Sequence, residues 1–380
     1  MLVLLISRGF PSTQDVLNGN FEADQARALQ ALGHKVIVLS VDRRLKARDR
    51  HIGINHRVVD GIDVYNYCLL PMPIKTMYRL GYFYIVQVTK FLSKIILRNH
   101  GKPDIIHAHF LYTMPIALKL KEIYKVPCVG TEHWSLVGKN DILNPVRFYA
   151  KNVYPKLDAL ITVSNSLKTN IRKHFGIEST VISNMVDVSK FNIAGLCGSD
   201  KNQARFVFIS IGSLIERKCL DLLLKAFSKS KIENKYLIIV GDGPKKQELK
   251  DLIVELGIEN SVEMTGNLRR EEIVDKLHAS NVFVLPPNSE IFGVVYIEAM
   301  ASGLPVIATK CGGPEEFVEH FNGLLIDLNS EEQLVEAMQY MYGHYNEYNP
   351  EIISESIIDK YAPDKVARQI ECLYNKILCK

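Results

Sequence analysis

The sequence has no uninterrupted apolar run long enough to cross a bilayer, which excludes a helical membrane span. Its seven cysteines (Cys68, Cys128, Cys197, Cys219, Cys311, Cys372 and Cys379) are scattered without paired spacing. That excludes a disulfide framework or a zinc-finger arrangement and fits a reducing cytoplasm. No Asp-x-Asp pair follows an expected strand, so no metal site is expected. Gly241-Asp242-Gly243 lacks the third glycine of a dinucleotide fingerprint. It reads as a tight strand-to-helix turn without chemistry of its own. Met1–Ser7 is apolar but short and has no basic leader, so it reads as a first strand rather than a signal peptide. No nucleic-acid recognition motif is present.

What remains is a chain of 380 residues, 47% of them hydrophobic, long enough for two domains with ample core. Its net charge of +4 conceals an asymmetry. Residues 1–184 hold 25 Lys+Arg against 13 Asp+Glu, a balance of +12; the remainder holds 21 against 29, a balance of −8. A basic first half and an acidic second half point to two domains with different partners. An anionic membrane surface and a phosphorylated acceptor are the candidates for the first.

Apolar runs and helical periodicity alternate along both halves, which predicts an α/β fold. In the first half, strands are expected at 2–6, 36–41, 104–109, 126–131 and 159–163. Helices are expected at 20–32 and 114–124, with another after Asn144. Residues 43–57 are dense in Arg and Lys. Over 77–99, Tyr84, Val88, Phe91, Leu92, Ile95 and Ile96 share one helical face, and Lys90, Lys94 and Arg98 another. That pattern fits either a helix lying on a membrane or one packed on the sheet with a solvated basic face. Residues 182–187 read as an exit strand and 192–204, polar with two glycines, as the linker. In the second half, strands are expected at 206–211, 236–240, 262–265, 282–285 and 306–308. Helices are expected at 222–227, 331–342 and 363–377.

The most informative stretch is 286–303. Pro286 and Pro287 end the apolar strand Val282–Leu285. Asn288, Ser289 and Glu290 form a loop, and a helix starts near Ile291–Gly293. A strand-loop-helix unit aims unpaired N–H groups and the positive helix end at the C-terminal edge of a sheet, a ready phosphate site. Gly293 permits close approach of a ligand to the backbone. Glu290 and Glu298 cannot bind phosphate, but they accept hydrogen bonds from hydroxyls. Phosphate-binding backbone flanked by two hydroxyl-binding carboxylates describes a nucleotide-sugar pocket.

Glu290 and Glu298, with Phe292-Gly293 between them and Ala299-Met300-Ala301-Ser302-Gly303-Leu304-Pro305-Val306 after them, resemble the signature of the retaining glycosyltransferases of family 4. The resemblance extends over nearly the whole chain and is strongest in 206–327. It implies the GT-B fold: two Rossmann-like domains facing across a cleft, an acceptor domain over 1–190 and a nucleotide-sugar domain over 200–360. The last helix, 363–380, is expected to pack back on the first domain.

The resemblance also assigns roles. Gly19 would let its loop approach the donor diphosphate. His133, in Gly130-Thr131-Glu132-His133-Trp134-Ser135, would lie near the transferred sugar and the acceptor. Glu132 is a weaker candidate, and His107 and His109 are taken as supporting. Lys218 would hold the diphosphate; Arg217 would substitute for an arginine where this chain has Ser213, and Cys219 stands where the family often has glycine. Backbone at Leu268 would hold the nucleobase, and that of Phe292, Gly293, Val294 and Val295 the pyrophosphate. Glu298 would hold the ribose hydroxyls and Glu290 those of the transferred sugar. The catalytic set is thus Glu290, His133 and Lys218.

The expected reaction is transfer of a hexose or N-acetylhexosamine from a nucleoside-diphosphate sugar, UDP favoured, to a glycan or lipid-linked acceptor, without cofactor or metal. Its setting would be cell-surface polysaccharide synthesis, in the cytoplasm or at the inner face of the membrane. A sugar-nucleotide epimerase, a glycan phosphorylase and a non-enzymatic nucleotide-sugar-binding protein remain open alternatives.

Overall fold

The structure, a computed structural model, describes residues 1–12, 18–42, 53–68, 78–134, 137, 142–187, 191, 193 and 205–379, with backbone alone over 78–85 and at 145. Most of the basic run at 43–57, Ser135 and nearly all of the expected linker lie outside the described residues. The chain divides into two compact units, Met1–Met185 with Pro363–Lys380, and Val186–Ala362.

The first unit runs β1 (Leu2–Ser7), α1 (Asn20–Ala31), β2 (Lys35–Asp42), β3 (Gly53–Val59), β4 (Ile62–Cys68), α2 (Tyr78–His100), β5 (Ile105–His109), α3 (Met114–Tyr124), β6 (Cys128–Glu132), α4 (Asn144–Val153), β7 (Ala159–Thr162), α5 (Asn165–Phe175) and β8 (Thr180–Val181). The strands form one sheet in the order β3-β4-β2-β1-β5-β6-β7-β8. It is parallel except for the β3–β4 hairpin.

The second unit runs β9 (Phe206–Ile211), α6 (Leu220–Lys229), β10 (Lys235–Val240), α7 (Lys246–Glu255), β11 (Val262–Gly266), α8 (Arg270–His278), β12 (Val282–Leu285), α9 (Val294–Ala301), β13 (Val306–Thr309), β14 (Gly323–Ile326), α10 (Glu331–His344) and α11 (Pro350–Tyr361). Its all-parallel sheet has the order β11-β10-β9-β12-β13-β14. Helix α12 (Pro363–Leu378) belongs to the first unit.

The core of the first unit explains where its polar residues sit. Val3, Leu5, Val36, Val38, Ile105, Val129 and Ile161 make one apolar sheet face, covered by Ala26 and Leu29 of α1 and by Val366, Ile370 and Tyr374 of α12. Side chains two residues apart share a face. Beyond Ile105 and Val129 that same face continues as His107 and His109 on β5 and as Thr131 and His133 at the end of β6, with His109 in register with Thr131. The face turns from apolar to polar at the C-terminal ends of the strands, where ligands bind in doubly wound folds.

Three expectations are corrected. Residues 182–187 are not a strand; β8 ends at Val181, and only Ile182 still donates to Thr162. The hairpin β3–β4 was not foreseen. Its turn is Asp60-Gly61, with φ of 53° and 75°, the left-handed pair that a two-residue hairpin requires. Phe91, placed on the apolar face of α2, is 55% exposed, whereas Leu92 and Ile96 are buried. Helix α2 packs on α3, where the Tyr124 hydroxyl donates to the Ser93 carbonyl at 2.7 Å. The Tyr84 side chain lies outside the described residues. No described helix is long and apolar enough to cross a membrane.

Candidate active site

In the second unit, β9 ends in a loop that makes one tight turn over Glu216–Lys218 and enters α6. The hinge residue Cys219 is left-handed, at φ 50° and ψ 42°. That conformation favours glycine and accounts for glycine being the residue the family resemblance anticipates there. The turn delivers Lys218 onto Glu290: Nζ lies 2.5 Å from Oε2, and both side chains are nearly buried. Arg217 Nη1 stands 3.6 Å from the same oxygen and donates to the Ser289 carbonyl at 2.6 Å. The Asn288 N–H donates in return to the Arg217 carbonyl. On the other side, Thr309 Oγ1 donates to the Pro287 carbonyl and Glu290 forms a parallel bridge with Gly312. The loop before α9 is thus pinned from two neighbouring strand ends.

Gly293 caps α9 at φ 93°. A Cβ there would stand 2.7 Å from the Tyr296 ring, so both conformation and space demand glycine. No side chain caps α9 and its first turn carries no acid. The first N–H groups of a helix have no acceptor within it and carry its positive end. Glu298 follows Val294 by one turn and has Arg270 Nη2 3.6 Å from Oε1. The Arg270 guanidinium lies 5.2 Å over the Phe191 ring. Phe292 is buried, with its ring against Phe317 and Tyr361. Val294, Val295 and Leu268 are half-buried, Leu268 between β11 and α8.

In the first unit, Gly19 opens α1 at φ 78°, where a Cβ would overlap the Gly9 carbonyl. The next turn presents Phe21, stacked on the His133 imidazole at 6.0 Å, and Glu22. His133 shares a 2.9 Å hydrogen bond between its Nε2 and Nδ1 of His109, and their rings stack at 5.2 Å. His109 in turn stacks on His107 at 4.8 Å. His107 Nδ1 lies 2.6 Å from the Tyr374 hydroxyl and 2.9 Å from the Gln25 amide nitrogen, while Nε2 meets Thr131 Oγ1 at 2.6 Å. Burial drives His107 and His133 down to about 3, helped for His133 by the Arg8 charge, and holds His109 well below its ordinary value. The stack is therefore neutral, able to orient a hydroxyl but not to act as an acid. A cavity of about 10 Å³, the size of one water, is lined by Gln25, Thr131, His133 and Asn184 among others.

Glu132 is a brace rather than a ligand-facing acid. Its carboxyl accepts from the N–H groups of Leu111, His133 and Trp134 and from the Tyr154 hydroxyl at 2.7–3.0 Å. Burial raises it to about 7 against the pull of those donors.

The structure thus brings Arg217, Lys218, Glu290 and Gly293 together in the second unit, and Phe21, His109 and His133 in the first. Sequence reasoning left Lys218 and Glu290 to separate ligand groups; here each is the other's partner. It also missed Arg270 beside Glu298, and Arg8, Glu22 and Phe110 beside His133. The signal for Arg8 was available: it is the first residue past a strand, as His133 is.

Two family models divide the chain: Glycosyltransferase Family 4 matches residues 21–190 and Glycosyl transferases group 1 matches 198–352. A glycosyltransferase assigned to teichuronic acid biosynthesis in Bacillus subtilis (strain 168) is 27% identical over 99% of each chain. Glycogen synthase of Mycobacterium tuberculosis is 25% identical over 84% of this chain and 80% of that protein. In fold, sucrose-phosphate synthase of Thermosynechococcus elongatus superposes with a TM-score of 0.82 at 18% identity, covering 100% of this chain and 99% of that one. Anabaena HepE in complex with UDP-glucose superposes at 0.75 and 19% identity, covering 99% and 100%.

Proposed function

We propose that this chain, which belongs to the family 4 glycosyltransferases of GT-B fold, transfers a hexose or N-acetylhexosamine from a UDP-sugar to a glycan or lipid-linked acceptor with retention of anomeric configuration. The observation that carries the reading is the convergence of Lys218 and Arg217 on one nearly buried carboxylate, Glu290, beside the uncapped positive end of α9. The donor diphosphate takes the α9 amides of Gly293, Val294 and Val295 together with Lys218 and Arg217. Glu290 turns its other lone pairs to the hydroxyls of the transferred sugar. Glu298 holds the ribose, and the backbone at Leu268 the base. The acceptor is taken by the first unit beside His133.

In the chemical step the bond from the anomeric carbon to the diphosphate oxygen breaks, and a bond to the acceptor oxygen forms on the same face. The acceptor's proton passes to the departing diphosphate, whose developing charge the two cations and the helix amides stabilise. No side-chain base is required, which suits a His133 that burial keeps neutral. The cations and helix end supply the positive charge that a metal would otherwise bring. UDP accords with the UDP-glucose bound by the HepE neighbour. A role in cell-surface polysaccharide synthesis accords with the Bacillus relative. Peripheral contact of the basic first unit with an anionic membrane belongs to the same reading.

The test is Glu290→Ala, assayed for transfer and for UDP release over a panel of UDP-sugars. Turnover should fall by about 100-fold or more. UDP affinity should stay the same or tighten, because the variant no longer offers Lys218 a competing anion. Unchanged turnover would remove Glu290 from the reacting centre.

A further inference from the structure

The end of the first sheet holds a second charged device that the reaction above does not use. Arg8 is the first residue past β1. Its guanidinium carbon lies 4.4 Å over the Phe110 ring, and that ring also meets the His133 imidazole at 4.9 Å. Phe110 is held left-handed at φ 66°, a conformation that costs a bulky residue energy and persists only where its surroundings enforce it. Its N–H donates to the Thr131 carbonyl at 2.8 Å. The strain therefore places one ring as a shared wall between Arg8 and His133. Tyr112 follows, with its hydroxyl near enough to the guanidinium to feel it.

The carboxylate facing Arg8 is Glu22, whose Oε1 lies 3.4 Å from Nε. That contact uses one edge of the guanidinium. Among the described residues the terminal amino groups make no ion pair, and the side chain is 36% exposed. Glu22 is fully buried, and that burial raises its carboxyl against the pull of the Arg8 charge. Two buried polar atoms without a hydrogen-bond partner lie here as well, Glu22 Oε2 and His109 Nε2. Such atoms are uncommon in folded proteins, and each calls for an explanation.

We propose that Arg8, backed by Phe110 and Tyr112, receives an oxyanion carried by the acceptor, a carboxylate or a phosphate, and so selects an anionic acceptor sugar over a neutral one. A guanidinium fork matches either group with two parallel hydrogen bonds. The proposal rests on the transferase reading and specifies its acceptor.

Trp134, the single tryptophan of the chain, lies edge-on to Tyr112 at 5.8 Å and reports on the site by fluorescence. The full-length protein is titrated with glucose, glucuronate and glucose 6-phosphate, which differ at one carbon, and with inorganic phosphate. An anionic sugar should bind about tenfold tighter than glucose or better. Glucuronate alone would identify a carboxylate; glucose 6-phosphate with inorganic phosphate would identify a phosphate. Arg8→Met should abolish the margin, and Tyr112→Phe should narrow it. Urea unfolding followed by the same Trp134 signal, which comes from the first unit, verifies that the variants are folded there. Equal binding of charged and neutral sugars, no binding of any of them, or a margin that survives Arg8→Met would overturn the proposal. Absence of UDP release from every UDP-sugar would instead sink the transferase reading and leave these titrations standing.

Discussion

The polar ends of the two sheets solve the same problem in opposite ways. In the second unit, charge is kept and paired: Glu290 with Lys218 and Arg217, Glu298 with Arg270. In the first, the groups around His133 are held uncharged by burial, which keeps three stacked imidazoles neutral and raises Glu132 to about 7, and the cation Arg8 stands at the margin. On the proposed reading, the difference follows from what each end has to hold. A diphosphate needs full positive charge that can exchange one anion for another. A hydroxyl awaiting transfer needs fixed dipoles that compete neither for its proton nor for the phosphate.

The largest effect on donor binding should come from removing the exchangeable cation. Lys218→Met leaves Glu290 with only the longer Arg217 contact and sets an undercompensated carboxylate beside the diphosphate. UDP affinity, read by titration calorimetry, should drop by about 10- to 100-fold. An unchanged affinity would mean that the pair is a structural brace like Glu132, and the contrast between the two ends would fail.

The neutral end has its own test in pH. The unfolded chain protonates His107 near its ordinary value of 6.5, whereas the folded chain resists until about 3. Its contribution to stability is therefore complete above 6.5 and is lost as the pH falls from there toward 3. Between pH 7 and pH 5, wild type should lose about 2 kcal/mol more stability than His107→Gln, in urea unfolding followed by Trp134 fluorescence. Equal losses would show that His107 is not buried as a neutral ring. Glu132, raised to about 7, acts with the opposite sign in both proteins and cancels from the comparison.

The smallest effect is expected at Cys219→Gly. Glycine relieves a left-handed backbone at φ 50° but gives up the thiol contacts and gains freedom in the unfolded chain. The second unit should gain less than about 1 kcal/mol in thermal unfolding, with turnover unaltered. A large loss would show that the thiol is holding the Lys218 turn.

Much of the second unit's site was legible because it is local. Strand, proline pair, loop, glycine and helix succeed one another within 282–301, and each step has a backbone reason that a sequence displays. The β3–β4 hairpin was legible too, through Asp60-Gly61, but the flanking alternation was overshadowed by the basic run before it. Helix α11 was missed because its buried residues, Ile353, Ile357 and Tyr361, are interrupted by a buried serine, Ser354, whose hydroxyl donates to the Ala301 carbonyl. The partners of the site carboxylates were not legible. Lys218 and Glu290 are far apart in the chain, and nothing in either segment states that the two loops leave neighbouring strands.

The sequence alone determined the alternating α/β plan, the two-unit division of charge, and the helix start at Gly293, because periodicity, turn chemistry and composition act over short range. Only the tertiary structure decided that Lys218 closes on Glu290, that His107, His109 and His133 form one stack, and that Arg8 shares a wall with His133. Those contacts depend on strand order. Strand order follows from packing two sheet faces against helices from distant parts of the chain, a cooperative outcome that no single segment encodes.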